Sequence, residues 1–190
     1  MTRIIGLTGG IASGKSTVGE ILRTQGFKVI DLDQTVHCLE NENEVVIQRI
    51  SNIFGEHVID AGKVNRPKLA KIVFNDELAL KKLVRILNPF LIAEIRQSSY
   101  DDLVFIEAPT LFENGLQIYV DKVVMITCDP IVQMQRLIKR NQLSISKASL
   151  LINSQWPQAI KKDLSDFSID ASTGIDDLKK QVQGLIDNLR

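Results

Sequence analysis

The sequence is poor in cysteine and histidine, with two of each among 190 residues. Cys38 and Cys128 lie far apart and outside any Cys-x-x-Cys or Cys/His cluster, which argues against a disulfide framework and a structural zinc site. His37 and His57 have no neighbouring ligand pattern, so metal binding by histidine is not expected. A reducing cytoplasm fits this composition best.

The sequence also has no net charge, because its 23 Lys and Arg residues balance its 23 Asp and Glu residues. We therefore expect small-molecule partners rather than nucleic acid or a membrane surface. No apolar run reaches the roughly 18 residues of a membrane span. The first predicted strand begins at Arg3 and leaves no room for a signal peptide, so a soluble, cytoplasmic protein is expected. The length suits one domain, or one core with a sizeable insertion.

Near its start the sequence does contain the pattern G-x-x-x-x-G-K-S, at positions 9–16. The apolar run 4–8 before it predicts a strand, and the apolar spacing within 18–22 after it predicts a helix, with Gly26 as a C′ residue. A strand before the motif and a helix after it is the context in which this pattern binds phosphate. The alternative is a glycine-rich turn without a ligand.

The chemistry of this loop predicts a nucleoside triphosphate site. Glycines allow backbone N–H groups to approach a phosphate closely, and the following helix directs its positive dipole end toward that phosphate. Lys15 supplies a compact positive charge, and Ser16 offers a hydroxyl to a phosphate-bound magnesium ion. The predicted ATP-binding residues of the loop are Gly10, Ile11, Ala12, Ser13, Gly14, Lys15, Ser16 and Thr17.

Strands and helices alternate along most of the chain, which predicts an α/β fold with a parallel five-stranded sheet covered by helices. The predicted strands are 4–8, 28–31, 103–107, 122–127 and 167–170. Helical patterns follow position 31 and span the neighbourhoods of 45–53, 67–73, 76–87, 89–98, 130–140, 148–152 and 178–189, with Pro67 and Pro130 in first turns and Ser146 as a cap. About seventy residues separate the second and third strands, far more than the dozen that a crossover needs. We interpret this excess as an inserted helical region.

Ligands of open α/β sheets bind at the carboxyl ends of the strands, where Asp31 and Asp33 follow strand two and Glu107 to Glu113 follow strand three. Phosphoryl transfer needs the acceptor hydroxyl oriented and its proton accepted. Asp33 is the leading candidate and Asp31 the reserve. The alternative for Asp33 is that it caps the following helix.

Four further side chains are weaker candidates. Arg136 and Arg140 share one helix face and could stabilise charge on phosphates, although a solvated face would show the same spacing. Arg66, before Pro67 in the insertion, could meet an anionic acceptor but is also typical of a surface. Trp156 could stack on a base, although a packed aromatic is commoner.

Taken together these segments resemble the dephospho-CoA kinase family, over nearly the whole chain. The resemblance is carried by 6–17, 29–33, Arg66 with Leu69 and 73–74, Asn88-Pro89, 108–114, 136–140, Gln155 and 166–170. It implies ATP-dependent phosphorylation of the ribose 3′-hydroxyl of dephospho-coenzyme A, the last step of coenzyme A biosynthesis, with magnesium.

The resemblance also implies an architecture and roles for single residues. A P-loop NTPase core covers about 1–34 and 101–190, a helical acceptor-binding region about 35–100, and a lid about 139–157. Asp33 would be the catalytic base, with Lys15 and Arg140 on the phosphates as catalytic and ATP-binding residues. Arg66, Asn88 and Asp33 would contact the acceptor, and Ser16 the metal.

The chain departs from the family pattern at four positions: His37, Asn88, Thr110 and Ala171. These departures concern details of acceptor and adenine contacts, and they leave Lys15, Ser16 and Asp33 intact. Alternatives are a nucleoside or nucleotide kinase with the same core, or a nucleotide-binding module without catalysis. A switch GTPase is disfavoured because the sequence has neither an N-K-x-D nor a D-x-x-G motif. Whether Glu107 or Glu113 assists magnesium is left open.

Overall fold

A computed structural model of the chain describes residues 3–97 and 102–190. These residues form two compact units, one from 3–30 with 102–190 and the other from 31–97. In chain order the elements are β1 (Arg3–Gly9), α1 (Lys15–Thr24), β2 (Lys28–Asp31), α2 (Leu32–Glu42), α3 (Glu44–Phe54), β3 (Ile59–Asp60), β4 (Lys63–Val64), α4 (Arg66–Val73), α5 (Glu77–Gln97), β5 (Leu103–Glu107), β6 (Lys122–Thr127), α6 (Pro130–Asn141), α7 (Ile145–Asn153), α8 (Gln158–Asp163), β7 (Phe167–Asp170) and α9 (Ile175–Leu189). Short 3₁₀ turns cover Glu56–Val58 and Leu116–Tyr119.

The central sheet has five strands in the order β2-β5-β1-β6-β7. β1 lies in the middle and pairs in parallel with β5 and β6, with Ile5 opposite Phe105 on one side and Lys122 on the other. All five predicted strands are present, and the predicted parallel sheet is confirmed. The loop with the G-x-x-x-x-G-K-S pattern therefore leaves the carboxyl end of the central strand.

Helices cover this sheet and bury its apolar side chains. β5 is buried along its whole length, as expected for a parallel strand with both faces covered. The predicted C-terminal amphipathic helix is confirmed as α9, in which the five predicted apolar residues are all buried: Leu178, Val182, Leu185, Ile186 and Leu189. The largest cluster of this core comprises Ile5, Leu7, Val18, Ile21, Leu22, Leu103, Phe105, Val124, Ile126, Ile169, Ala171, Leu178, Val182, Leu185, Ile186 and Leu189.

The unit 31–97 has its own core, formed by α3, α4, α5 and a small hairpin. The hairpin joins β3 to β4 through Ala61 and Gly62, both with positive φ, at 46° and 75°. This is the geometry of a primed two-residue turn. The hairpin was not predicted, because strands of two residues have no measurable periodicity.

One helix, α5, replaces the two that were predicted over 76–87 and 89–98. Pro89 lies inside α5 rather than at a helix start. The helix continues because its buried residues lie on both sides of the proline, Ile86 and Leu87 before it and Leu91 and Ile95 after it. The predicted end at Ser98 lies outside the described residues. No helix of the described chain, α5 included, has the length and apolar character to cross a membrane.

The start of α7 also differs from the prediction. Ser144, not Ser146, is the N-cap, and its hydroxyl accepts a hydrogen bond from the Lys147 N–H at 3.3 Å. A serine two residues earlier satisfies an N–H group of the first turn and so begins the helix at Ile145. The short helix α8 was not predicted.

Candidate active site

The chain packs so closely from the end of β1 to the start of α1 that Gly9 and Gly14 have no room for a side chain. A Cβ on Gly9 would lie 2.6 Å from the Ile126 carbonyl oxygen, and one on Gly14 would lie 2.8 Å from the Ala171 Cβ. Gly14 also has φ of 103°, and Ala12 adopts the left-handed region at 58°. The backbone is thereby wound into the concave form that binds anions.

A cavity of about 540 Å³ lies in front of this loop, and four of its lining residues are cationic. Lys15, the first residue of α1, is 8% exposed. Arg136, Lys139 and Arg140 come from α6, and no carboxylate is found among the described lining residues. With the positive end of α1 added, the cavity suits a polyanion. The lining residues are Ala12, Ser13, Gly14, Lys15, Ser16, Thr17, Arg136, Lys139 and Arg140.

Six of the eight loop residues predicted to bind ATP are in this lining, and so is Arg140. The lining begins at Ala12. The peptide N–H of Ile11 is directed elsewhere and donates to Gln155 Oε1 at 2.7 Å. The carbonyl of Gly10 accepts the Ser13 N–H at 3.1 Å and closes a turn. Gly10 and Ile11 thus shape the loop through contacts within the protein.

Of the other cationic residues of the cavity, Arg136 is a weaker candidate from sequence and Lys139 was not predicted. Arg136 donates through Nη2 to the Ala171 carbonyl at 2.8 Å and through Nη1 to Cys128 Sγ at 3.5 Å, so its guanidinium is held in place. Lys139 lies one turn further along α6. The spacing of 136, 139 and 140 is the signal that could have identified all three, because residues three and four apart share a helix face.

The hydroxyl of Ser16 lies beside a buried carboxylate at the end of β5. Ser16 Oγ donates to Glu107 Oε1 at 3.1 Å, and Arg23 Nη2 lies 3.8 Å from Glu107 Oε2. The Glu107 side chain is only 4% exposed. Gly19 makes room for it, because a Cβ there would lie 2.8 Å from Oε2.

Glu113 has a different environment. Its Oε1 lies 2.5 Å from Nζ of Lys161, whose side chain is fully buried, and also accepts the N–H of Trp156 at 3.0 Å. Lys161 donates in addition to the Pro109 carbonyl at 2.7 Å. Of the two glutamates left open by the sequence, Glu107 is the one that contacts Ser16. Trp156 itself is 45% exposed, so it is not a core aromatic.

At the start of α2 the capping residue is Asp31. Its Oδ1 accepts the N–H groups of Asp33 at 2.9 Å and Gln34 at 3.2 Å. The alternative that Asp33 caps this helix is therefore wrong. Asp33 lies in the first turn, where a carboxylate is favourable to the helix dipole.

In the helical unit, Arg66 pairs with a buried glutamate. Arg66 Nε lies 2.9 Å from Glu40 Oε2, while the arginine side chain remains 51% exposed. Burial raises the pKa of Glu40, although the charges of Arg66 and His37 oppose the shift. A cavity of about 380 Å³ is lined by both members of the pair. Asn88, the other predicted acceptor residue of this unit, is half-buried on α5 and is not in that lining.

The strand order and the loop after the central strand define the class: this is a P-loop nucleotide-binding protein with an α/β core. The family model for dephospho-CoA kinase matches residues 3–177. The chain belongs to the dephospho-CoA kinase family.

Curated relatives and solved structures agree with this assignment. The chain is 40% identical to the dephospho-CoA kinase of Streptococcus thermophilus strain LMG 18311, over 98% of each chain. It is 39% identical to that of Lactiplantibacillus plantarum, over 96% of this chain and 95% of the relative. The dephospho-CoA kinase structure from Campylobacter jejuni aligns with a TM-score of 0.70 at 27% identity, covering 100% of this chain and 98% of that one.

Proposed function

We propose that this chain transfers the terminal phosphoryl group of ATP to the ribose 3′-hydroxyl of dephospho-coenzyme A, giving coenzyme A and ADP. The observation that carries the proposal is the cationic cavity in front of the P-loop, in a chain of the dephospho-CoA kinase family. The transferred group passes through a state with charge spread over its oxygens. Catalysis therefore consists mainly of positioning and electrostatic stabilisation.

On the donor side, the backbone of 12–17 and Lys15 hold the phosphates of ATP. Arg136 is held by the Ala171 carbonyl and presents a charge that is already placed beside the loop before ATP binds. Arg140 is more exposed, and its Nε donates to the Asn141 side chain at 2.8 Å. Cations already directed at the phosphates stabilise charge that develops during transfer without further reorganisation.

On the acceptor side, Asp33 accepts the proton of the attacking hydroxyl. Asp31 supports this assignment because it provides the cap of α2, so Asp33 is not required for that task. We assign acceptor binding to the helical unit 31–97, with Arg66 and Asn88 as contacts. Nε of Arg66 is paired with Glu40, and the exposed half of its side chain suits an anionic group of the acceptor.

Magnesium fits the oxygen groups beside the loop. Ser16 Oγ and Glu107 Oε1 are hard oxygen donors, and Mg²⁺ is commonly held by one or two protein oxygens together with substrate phosphates. Ser16 would bind the ion, and Glu107 would hold it through its water shell. When bound, the ion neutralises charge on the phosphates.

We also propose a cytoplasmic location and small-molecule substrates without a nucleic-acid partner. Cys38 is an exposed free thiol and Cys128 a buried one. A reducing compartment preserves both. The balanced charge of the chain supports the absence of nonspecific polyanion binding.

The test is an assay of ADP formation by the purified chain with Mg-ATP and a panel of acceptors: dephospho-coenzyme A, nucleosides and nucleoside monophosphates. We expect turnover with dephospho-coenzyme A and a mass increase of one phosphate on the ribose. Lys15→Ala is the control for contaminating kinases and should lower the rate by about 100-fold or more. Turnover with the nucleosides alone, or with no acceptor, would refute the proposal.

A further inference from the structure

The backbone of Ile11, inside the P-loop, is held on both sides of its Cα by glutamine side chains. Its carbonyl accepts a hydrogen bond from Gln133 Nε2 at 2.7 Å, and its N–H donates to Gln155 Oε1 at 2.7 Å. Gln133 lies on α6 and is 3% exposed, while Gln155 lies between α7 and α8. We call Gln133 and Gln155 the glutamine clamp.

A third glutamine fixes the orientation of the clamp. Gln158 Nε2 donates to Gln133 Oε1 at 2.9 Å and to the Cys128 carbonyl at 3.1 Å, while its own Oε1 accepts the Cys128 N–H at 3.0 Å. Because Gln133 Oε1 is an acceptor for Gln158, the amide nitrogen of Gln133 must be the atom that faces Ile11. The network thus connects the end of β6 to the P-loop through directed hydrogen bonds.

The clamp lies against the part of the loop with the least favourable backbone geometry. A Cβ on Gly10 would lie 2.6 Å from Gln133 Nε2, so the amide rests directly on the loop. Ala12, the residue after Ile11, has φ of 58°. The left-handed backbone region is unfavourable for a residue other than glycine, and such a residue keeps this conformation only where its surroundings fix it. Hydrogen bonds to the backbone N–H and to the carbonyl of Ile11 fix the two successive peptide groups before Ala12 and so supply such a constraint.

We propose that Gln133 and Gln155 are positioning residues that hold the P-loop in its phosphate-binding form before the nucleotide arrives. Gln155 also ties that form to the chain segment between α7 and α8. The proposal rests on the use of the loop cavity for ATP. A loop that is already ordered avoids the entropic cost of ordering on binding, so the clamp raises nucleotide affinity without touching the nucleotide.

The first test replaces each clamp residue by methionine, which keeps the length of the side chain and removes its hydrogen-bonding amide. We expect Gln133→Met and Gln155→Met each to raise the Kd of a non-hydrolysable Mg-ATP analogue about tenfold, measured by calorimetry. The KM for ATP should rise in parallel and that for dephospho-coenzyme A should stay within about twofold. Gln135→Met, at an exposed position of α6, is the matched control and should bind normally.

Glutamate at the same two positions distinguishes the clamp from a general packing role. Gln155 is used as an acceptor, so Gln155→Glu keeps the bond from the Ile11 N–H and should bind the analogue more tightly than Gln155→Met. Gln133 is used as a donor, so Gln133→Glu places an oxygen against the Ile11 carbonyl and should bind no better than Gln133→Met. If glutamate and methionine differed in analogue Kd by the same factor at position 133 as at position 155, the proposal would be contradicted.

Hydrogen exchange on the nucleotide-free wild type tests the proposal without any substitution, so it still applies if a variant does not fold. The Ile11 amide should be protected in the absence of ligand; exchange at the rate of an unstructured peptide would overturn the proposal. So would methionine variants whose analogue Kd stays within twofold of the wild type. If the wild type binds ATP but does not phosphorylate dephospho-coenzyme A, the proposed function fails, while the Kd and exchange data still decide this inference.

Discussion

Asp31 and Asp33 are two residues apart in sequence and have separate structural roles at the start of α2. Asp31 is the last residue of β2 and accepts hydrogen bonds from two backbone N–H groups, whereas Asp33 lies in the first turn of α2. A cap can be provided by asparagine as well as by aspartate, whereas proton acceptance needs a carboxylate. The two residues can therefore be distinguished by the same isosteric substitution.

We predict that Asp33→Asn lowers kcat about 100-fold or more and leaves the KM of both substrates within about threefold, because the amide cannot accept the proton. Steady-state kinetics with dephospho-coenzyme A measure this. Asp31→Asn is the matched control and should retain most of the turnover, since asparagine keeps the cap. Near-normal turnover of Asp33→Asn would remove it from the role of base. A selective loss in Asp31→Asn would transfer that role to Asp31.

Glu40 provides a second residue-scale prediction, on stability against pH. Burial raises its pKa above the ordinary value of 4.5, so the folded state binds the proton more tightly than the unfolded state. The free energy of unfolding then falls as pH rises above 4.5, up to the raised pKa of the folded state. We expect Glu40→Gln to lack this loss, so that its stability relative to the wild type increases with pH across that range.

Urea unfolding at several pH values between about 4.5 and 7.5 measures the difference at each pH. Glu42→Gln, at an exposed position of the same helix, is the control and has no buried charge to relieve. A difference between Glu40→Gln and the wild type that stays constant, or shrinks as pH rises, would show that the Arg66 pair outweighs the cost of burial.

At the scale of elements, α5 shows how tertiary packing overrides a local signal. A proline in a helix interior lacks one N–H and its ring crowds the carbonyl four residues earlier, which is why the sequence predicts a break at 89. The buried face of α5 spans that position, so separating the helix there would uncover part of it. The cap of α7 shows a different limit, since the local sequence offers two serines and only the structure shows that Ser144 accepts the first-turn N–H.

We predict that Pro89→Ala raises the free energy of unfolding by about 1–3 kcal/mol, because alanine restores a helix donor and is the better helix former. Position 89 is exposed, so the substitution leaves no buried cavity. Urea denaturation followed by circular dichroism gives the value. Lys82→Ala, also exposed on α5, should change it by less than about 0.5 kcal/mol. A destabilised Pro89→Ala would mean that the proline is needed for the path of the helix.

At the scale of the whole molecule, the features that can be predicted are those that depend on short, contiguous segments of sequence. Apolar runs predicted all five strands of the sheet, and the P-loop pattern marks the cationic cavity, of which it supplies six lining residues. The glutamine clamp was beyond reach, because its partners are 122 and 144 residues from Ile11 in the chain. A glutamine has no distinguishing pattern until folding brings its amide to a particular peptide group. From sequence Arg136 is only a weaker candidate, since its anchor on Ala171 is likewise remote in the chain.

That remoteness has a consequence for how the protein is made. The P-loop precedes β7 in the chain and is synthesised before it, yet Gly14 packs against Ala171, and Arg136 bonds to the carbonyl of the same residue. A nascent chain thus carries the P-loop sequence long before it has a phosphate site, and β7 must emerge from the ribosome before the site is complete. ATP is therefore expected to stabilise the finished chain but not to guide the folding of its first half.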